Sequence, residues 1–252
     1  MGQRRRWIAG LPILGVFTGV AWGQGVGPAK PDEKTVKAAL DAFTKQYAEG
    51  QKSKDEAKRL EALNLLSGAL TDQRAQDALA KVLTTASETD GIKGRAAMLL
   101  GQSGNPKAIP VLVKAFALYE KNPSVAPMIV SHLGSINDKS VVKELDKIIR
   151  PRASRWDDAD SCGIACAGMM ALGRLRFLES VETLISLFDP VEKGKPKNKG
   201  QGDPIEQAKE QQRELIEGAL ISSLKTITAQ ELDKPEDWMK WWGENKKTWK
   251  PQ

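Results

Sequence analysis

Histidine and cysteine are nearly absent: 252 residues hold one His and two Cys. Two cysteines exclude a disulfide framework, and three such side chains leave too few ligands for the usual zinc or iron–sulfur centre. A lone His132 rules out histidine-dependent triads and HExxH zinc sites, which need a second partner. The chain has no Walker A sequence and no GxGxxG run that opens a helix after a strand. Alternating Val- or Ile-rich runs are missing, so strands are not expected. No apolar run of spanning length follows residue 20. We therefore expect no catalytic centre, no cofactor and no metal.

What is present can bury a core: 40% of residues are hydrophobic and 28% charged. The formal charge is +6, but residues 1–23 carry Arg4, Arg5 and Arg6 and no acid, and without them the excess is +3. That segment reads as a secretory signal. An arginine cluster precedes an apolar stretch from Trp7 to Val20, and Ala21-Trp22-Gly23 follows as a small-x-small cleavage pattern. The stretch is short for a membrane span and is broken by Pro12 and Gly15. Arg4-Arg5-Arg6-Trp7-Ile8 fits a twin-arginine signal faintly. No Cys lies near the cleavage point, so a lipoprotein anchor is not expected. The expected location is the periplasm or the outside of a bacterial cell, with membrane contact only through an uncleaved signal. Nucleic acid is not an expected partner, because the basic excess shrinks on export.

Apolar residues recur at three and four along the remainder, which is the helical period. Gly68, Gly101, Gly134 and Gly173 mark a repeat, spaced by 33, 33 and 39 residues. Eleven residues after each stands Leu79, Leu112, Leu145 or Leu184, and fifteen after each stands Leu83, Phe116, Ile149 or Phe188. With Ala75, Ile109, Val142 and Val181 these lie on one helical face. The residues before each marker also follow helical spacing, so each unit reads as helix, glycine turn, helix. Glycine is expected to end the first helix through a positive φ. Asp72, Asn105 and Asp138 are expected to cap the second, whereas Phe177 holds that place in the fourth unit. Ser53-Lys54-Asp55-Glu56 reads as a capping box, and Asp160-Ser161 as the cap of the fourth unit's first helix.

The segmentation is a signal at 1–23, a tether at 24–31 and an N-terminal capping helix at 32–52. About five repeats follow at 53–230, with a loop insertion at 189–204 rich in lysine, and then a Trp-rich C-terminal cap at 231–252. A fifth first helix carries Leu215, Ile216, Leu220 and Leu224, and its marker position falls at Lys225, 52 after Gly173.

The second unit runs Gly94-Arg95-Ala96-Ala97-Met98-Leu99-Leu100-Gly101-Gln102-Ser103-Gly104-Asn105-Pro106-Lys107-Ala108-Ile109-Pro110-Val111-Leu112. It resembles the HEAT-like repeat family in its short bacterial form, the phycobilisome-lyase HEAT-like repeat. The other units keep the Gly and Leu spacing but lack Asn-Pro. The resemblance implies an all-α fold, a right-handed α-solenoid of helical hairpins (an armadillo-like helical array) whose second helices line a concave surface. It implies a non-catalytic scaffold that binds a protein or peptide there, since the family shares no active site. A lyase-like enzyme subunit is an alternative by analogy with the family's name.

Lys81, Lys114 and Lys147 share one repeat position, thirteen after each glycine, and should form an exposed row with Lys107 and Lys143 near it. Two readings stand: a solvated face, or a binding surface for an acidic protein segment or cell-envelope polymer. Trp238, Trp241 and Trp242 fall at i, i+3 and i+4, with Trp249 beyond. They are either a cap that seals the last repeat or an aromatic platform, and with the lysines they give the second alternative, a cell-wall or polysaccharide binder. Cys162 and Cys166 read as small core residues, and His132 as a packed side chain in the repeat position of Leu99. Asp157, Asp158 and Asp160 lack the glycine and later Glu of an EF-hand.

Overall fold

The computed structural model describes residues 31–155, 158–193 and 204–251. The signal, nearly all of the tether, Trp156, Asp157, Lys195, Lys197 and Lys199 lie outside the described residues. The described residues are helical, with no strand among them. The fold is an α-solenoid.

The chain opens on α1 (Glu33–Ser53), capped by Asp32, whose carboxylate accepts from the Thr35 amide. Helix α1 buries Val36, Phe43 and Tyr47 against α2 (Glu56–Asn64) and the 3-10 turn Leu65–Ala69 that continues α2. It thereby covers the first unit's exposed end. First helices then alternate with second helices. The first helices are α2 with its turn, α4 (Asp90–Gln102), α6 (Val125–Leu133), α8 (Ala159–Arg174) and α11 (Pro204–Thr228). The second helices are α3 (Gln73–Thr84), α5 (Ala108–Tyr119), α7 (Lys139–Ile149) and α9 (Leu178–Ser186). The short α10 (Phe188–Lys193) begins one residue before the segment read as a loop and runs into it, and its buried Phe188 and Val191 hold the chain to α9 and α11. Finally α12 (Pro235–Asn245) docks on α9, in the place a fifth second helix would take.

The core is the seam between the two layers. All four marker leucines are fully buried, and Leu83, Phe116, Ile149 and Phe188 are buried beside them. Each such side chain stabilises the array by about 1.5–3 kcal/mol relative to exposure. In α7 the buried set is Val141, Val142, Leu145, Ile148 and Ile149, a stripe at helical spacing.

The marker glycines work differently from the sequence expectation. None has a positive φ; among the glycines described only Gly104 does, at 62°. Their use is close approach. A methyl built on Gly101 would lie 2.4 Å from the His132 carbonyl oxygen, and one on Gly134 would lie 2.4 Å from Ala171 Cβ. One on Gly173 would meet Ser223 Cβ at 2.9 Å. Each glycine thus touches the residue two before the next unit's marker, and Ser223 holds that relation to Lys225. Gly68 has nothing within 4 Å of the same point. The first helices α4, α6, α8 and α11 therefore stack tightly, while the second helices touch one another more sparingly.

Asp72 and Asp138 cap α3 and α7, accepting from the Arg74 and Ser140 amides at 2.9 and 2.8 Å. Asn105 accepts from the Lys107 amide at 3.1 Å one turn before α5, and its amide donates to Gln76 of the preceding unit at 3.0 Å. Phe177 stands before α9 without a side-chain cap. Two caps differ from the sequence reading. Ser53 is the last residue of α1, and Lys54 takes the left-handed conformation at φ 55°. Asp55 then caps α2, accepting from the Lys58 amide at 3.0 Å, because the aspartate is the first strong acceptor after that reversal. At α8 the cap is Asp158, which accepts from the Asp160 amide at 3.1 Å and the Ser161 hydroxyl at 2.5 Å.

Candidate functional site

Two opposite faces result, one on each layer. The second-helix layer is charged. Lys81, Lys114 and Lys147 are all exposed on α3, α5 and α7, and Lys107 and Lys143 are exposed near them. Lys147 pairs with Glu144 at 2.7 Å, and Lys139 of α7 reaches Glu179 of α9 at 2.6 Å. The two ion pairs offset part of the positive charge at the α7 end of this face.

The first-helix layer has the opposite character. Residues 96–104, 125–133 and 161–173 contain no Asp, Glu, Lys or Arg. Such runs belong to helices buried on all sides, yet part of this surface meets water. Met170 is 55% and Leu65 39% exposed, at equal repeat positions three before their markers. Met98, which shares that position, is half-buried, as are Met128, Ser131, Cys166 and Ala167. Leu215, 64% exposed on α11, extends the strip, and the Cys166 thiol lies 3.7 Å from the Leu215 carbonyl oxygen. Burial pushes that thiol above its ordinary pKa, so it stays protonated and poorly nucleophilic at neutral pH. Cys162 is buried behind it, and neither cysteine is in a disulfide.

Two arginines border the strip. Arg95 on α4 donates from Nε to Asn64 Oδ1 at 2.7 Å and contacts Met98 Sδ at 3.6 Å. Arg174 at the end of α8 donates to the Ser131 carbonyl oxygen and, at 3.2 Å, to its hydroxyl. Burial lowers the Arg174 pKa with no acid to offset it. Burial first and the Arg174 charge second push the half-buried His132 imidazole down to about 4, which keeps it neutral.

The indoles of α12 are turned inward and onto one another. Trp238 is fully buried, with its Nε1 donating to the Leu232 carbonyl at 3.0 Å, and Trp242 is buried beside it. Trp241 meets Trp238 edge-on at 5.8 Å between centroids, and Trp249 meets Trp242 edge-on at 6.1 Å. No group of three or more His, Cys, Asp or Glu that could hold a metal ion occurs among the described residues, and no described helix is long and apolar enough to cross a membrane.

Residues 92–117, covering α4 from Ile92 and most of α5, match the family described as the PBS lyase HEAT-like repeat. The chain carries a HEAT-like repeat. No curated protein matches it significantly. The matched HEAT-like unit includes the marker Gly101, the strip residue Met98, Arg95 and Lys114, so both faces run through it. The lysine row was visible in the sequence as a constant offset. The first-helix strip of the HEAT-like array, with Arg95 and Arg174, was not singled out there; its signal was the run of charge-free residues from 161 to 173.

Proposed function

We propose that the chain is an exported, non-catalytic scaffold that binds a protein partner along the concave face of its HEAT-like array. The observation that carries this reading is the first-helix layer, close-packed through glycine and with charge-free runs in α4, α6 and α8, yet with Met170 more than half exposed. In a curved stack of two layers, the more closely packed layer takes the shorter arc. This supports an inner face built by the first helices, rather than by the second helices as the family resemblance implied. An apolar, uncharged surface of this kind on a soluble array is a protein-binding feature. HEAT-like repeats generally mediate protein–protein interaction, which favours the scaffold over a lyase-like subunit. Export rests on the arginine cluster, the apolar stretch and the small-x-small site at the N-terminus.

The test is affinity capture with residues 24–252 from a cell-envelope fraction, read by mass spectrometry, beside the Met170→Glu variant. The expected result is a set of proteins retained by the parent and lost with the variant. Retention of none, or turnover of a small molecule by the chain alone, overturns the scaffold reading. Sequencing the N-terminus of the cellular protein tests export: a start near Gln24 is expected, and retention of Met1 overturns it.

A further inference from the structure

We propose that the first-helix face binds a polypeptide segment that is apolar along its length and carries an Asp or Glu whose carboxylate pairs with Arg174. This rests on the scaffold reading and names the chemistry of the partner. The argument for the occupant is charge complementarity. Five other arginines hold carboxylates: Arg59 holds Glu88, Arg74 holds Glu33 and Asp72, Arg150 holds Asp146, Arg152 holds Glu120, and Arg213 holds Glu210 and Glu217. Arg95 and Arg174 hold none among the described residues. They use neutral acceptors instead, Asn64 Oδ1 for one and Ser131 for the other.

Ser131 engages a single nitrogen of Arg174, Nη2, so the rest of the planar donor fork remains for an acceptor from outside. A carboxylate fits that fork with two parallel bonds. Acids are also missing from the charge-free runs of α4, α6 and α8 that form this face, so nothing within those runs competes with an incoming carboxylate.

Between the arginines the surface offers Met98, Met128 and Met170, with Leu215 beyond. Thioether side chains adapt to varied apolar partners, as Met-rich binding surfaces do. A nucleic acid would meet only two cations here and would have to desolvate its phosphates against methionine, which counts against it. The lysine row lies on the other layer and takes no part.

The test is selection from a phage-displayed library of random dodecamer peptides on immobilised residues 24–252. The selected peptides are then synthesised with fluorescein and titrated by anisotropy. We expect the selected sequences to combine apolar residues with Asp or Glu. Arg174→Gln should weaken binding about tenfold, the scale of a lost charge-assisted hydrogen bond, and Met170→Glu should weaken it too by setting a carboxylate against an apolar, acidic partner, while helical circular dichroism stays at the parent value. The triple variant Lys81→Glu, Lys114→Glu, Lys147→Glu should bind as the parent does. Selected peptides without acids, or binding indifferent to Arg174→Gln, overturn the inference. Binding abolished by the lysine triple overturns it and leaves the scaffold reading standing. So does failure to select any peptide while affinity capture still retains proteins. If neither peptide nor protein is retained, the scaffold reading falls and takes the inference with it.

Discussion

Replacing Gly101 with alanine sets two effects against each other. Alanine in a helix is favoured over glycine by about 0.8–1 kcal/mol. The added methyl, however, lies 2.4 Å from the carbonyl oxygen of His132, and that oxygen belongs to backbone. No rotamer change can relieve the contact, so α4 and α6 must move apart. Forcing a methyl into a well-packed contact costs about 1–3 kcal/mol, and a backbone atom places Gly101→Ala near the top of that range. The expected net loss is about 1–2 kcal/mol. Gly163 supplies the control: it lies in α8 with nothing within 4 Å of its built Cβ, so Gly163→Ala should gain about 0.5–1 kcal/mol. The two variants should therefore differ by roughly 2–3 kcal/mol in urea unfolding followed by helical circular dichroism. Equal stabilisation of both would refute the close-approach account of the marker glycines and return them to a turn-forming role.

Three further outcomes follow from the structure. His132 is neutral in both folded and unfolded chains above about pH 6.5. As pH falls, the unfolded chain takes up a proton that the folded chain refuses until about pH 4. Stability should fall by about 2–3 kcal/mol between pH 7 and 4.5, and His132→Leu, the residue at the matching place in α4, should remove most of that fall in urea midpoints measured at both pH values. Glu88 has a side chain only 2% exposed and is held by Arg59 at 2.5 Å and Gln51 at 3.2 Å. Arg59→Met should strand a buried carboxylate at a cost of about 3–5 kcal/mol, and hydrogen exchange should show α1 opening before the rest of the array. Trp238→Ala should cost about 3–5 kcal/mol, and acrylamide should quench most of the parent's Trp emission poorly; strong quenching would refute a buried α12.

Much of the fold was legible because repetition multiplies a weak signal. One leucine eleven residues after a glycine means little, but four of them specify a buried stripe, and all four are buried. Asp72 and Asp138 were legible as caps because a short acceptor before an apolar run has a single local use. Ser53 was misread because the box pattern fits two registers, and only the left-handed Lys54 decides between them. Asp160 was misread because Asp158, two residues earlier, offers the same acceptor. The glycines were found by spacing but given the wrong physical role, since close approach is a property of the neighbouring unit and leaves no local mark. The lysine row was legible as a surface. The first-helix face was harder to see, because an absence of charge reads as core until the structure shows which methionines meet water.

The contacts of Gly134 on Ala171 and of Gly173 on Ser223 reach across marker intervals of 39 and 52 residues, yet they keep the partner relation seen across the regular interval of 33. Extra chain between one hairpin and the next is thus accommodated without shifting the register of the stack. Unit spacing along the chain and unit spacing in the array are therefore independent quantities here: the glycine contact sets the second whatever length the first takes.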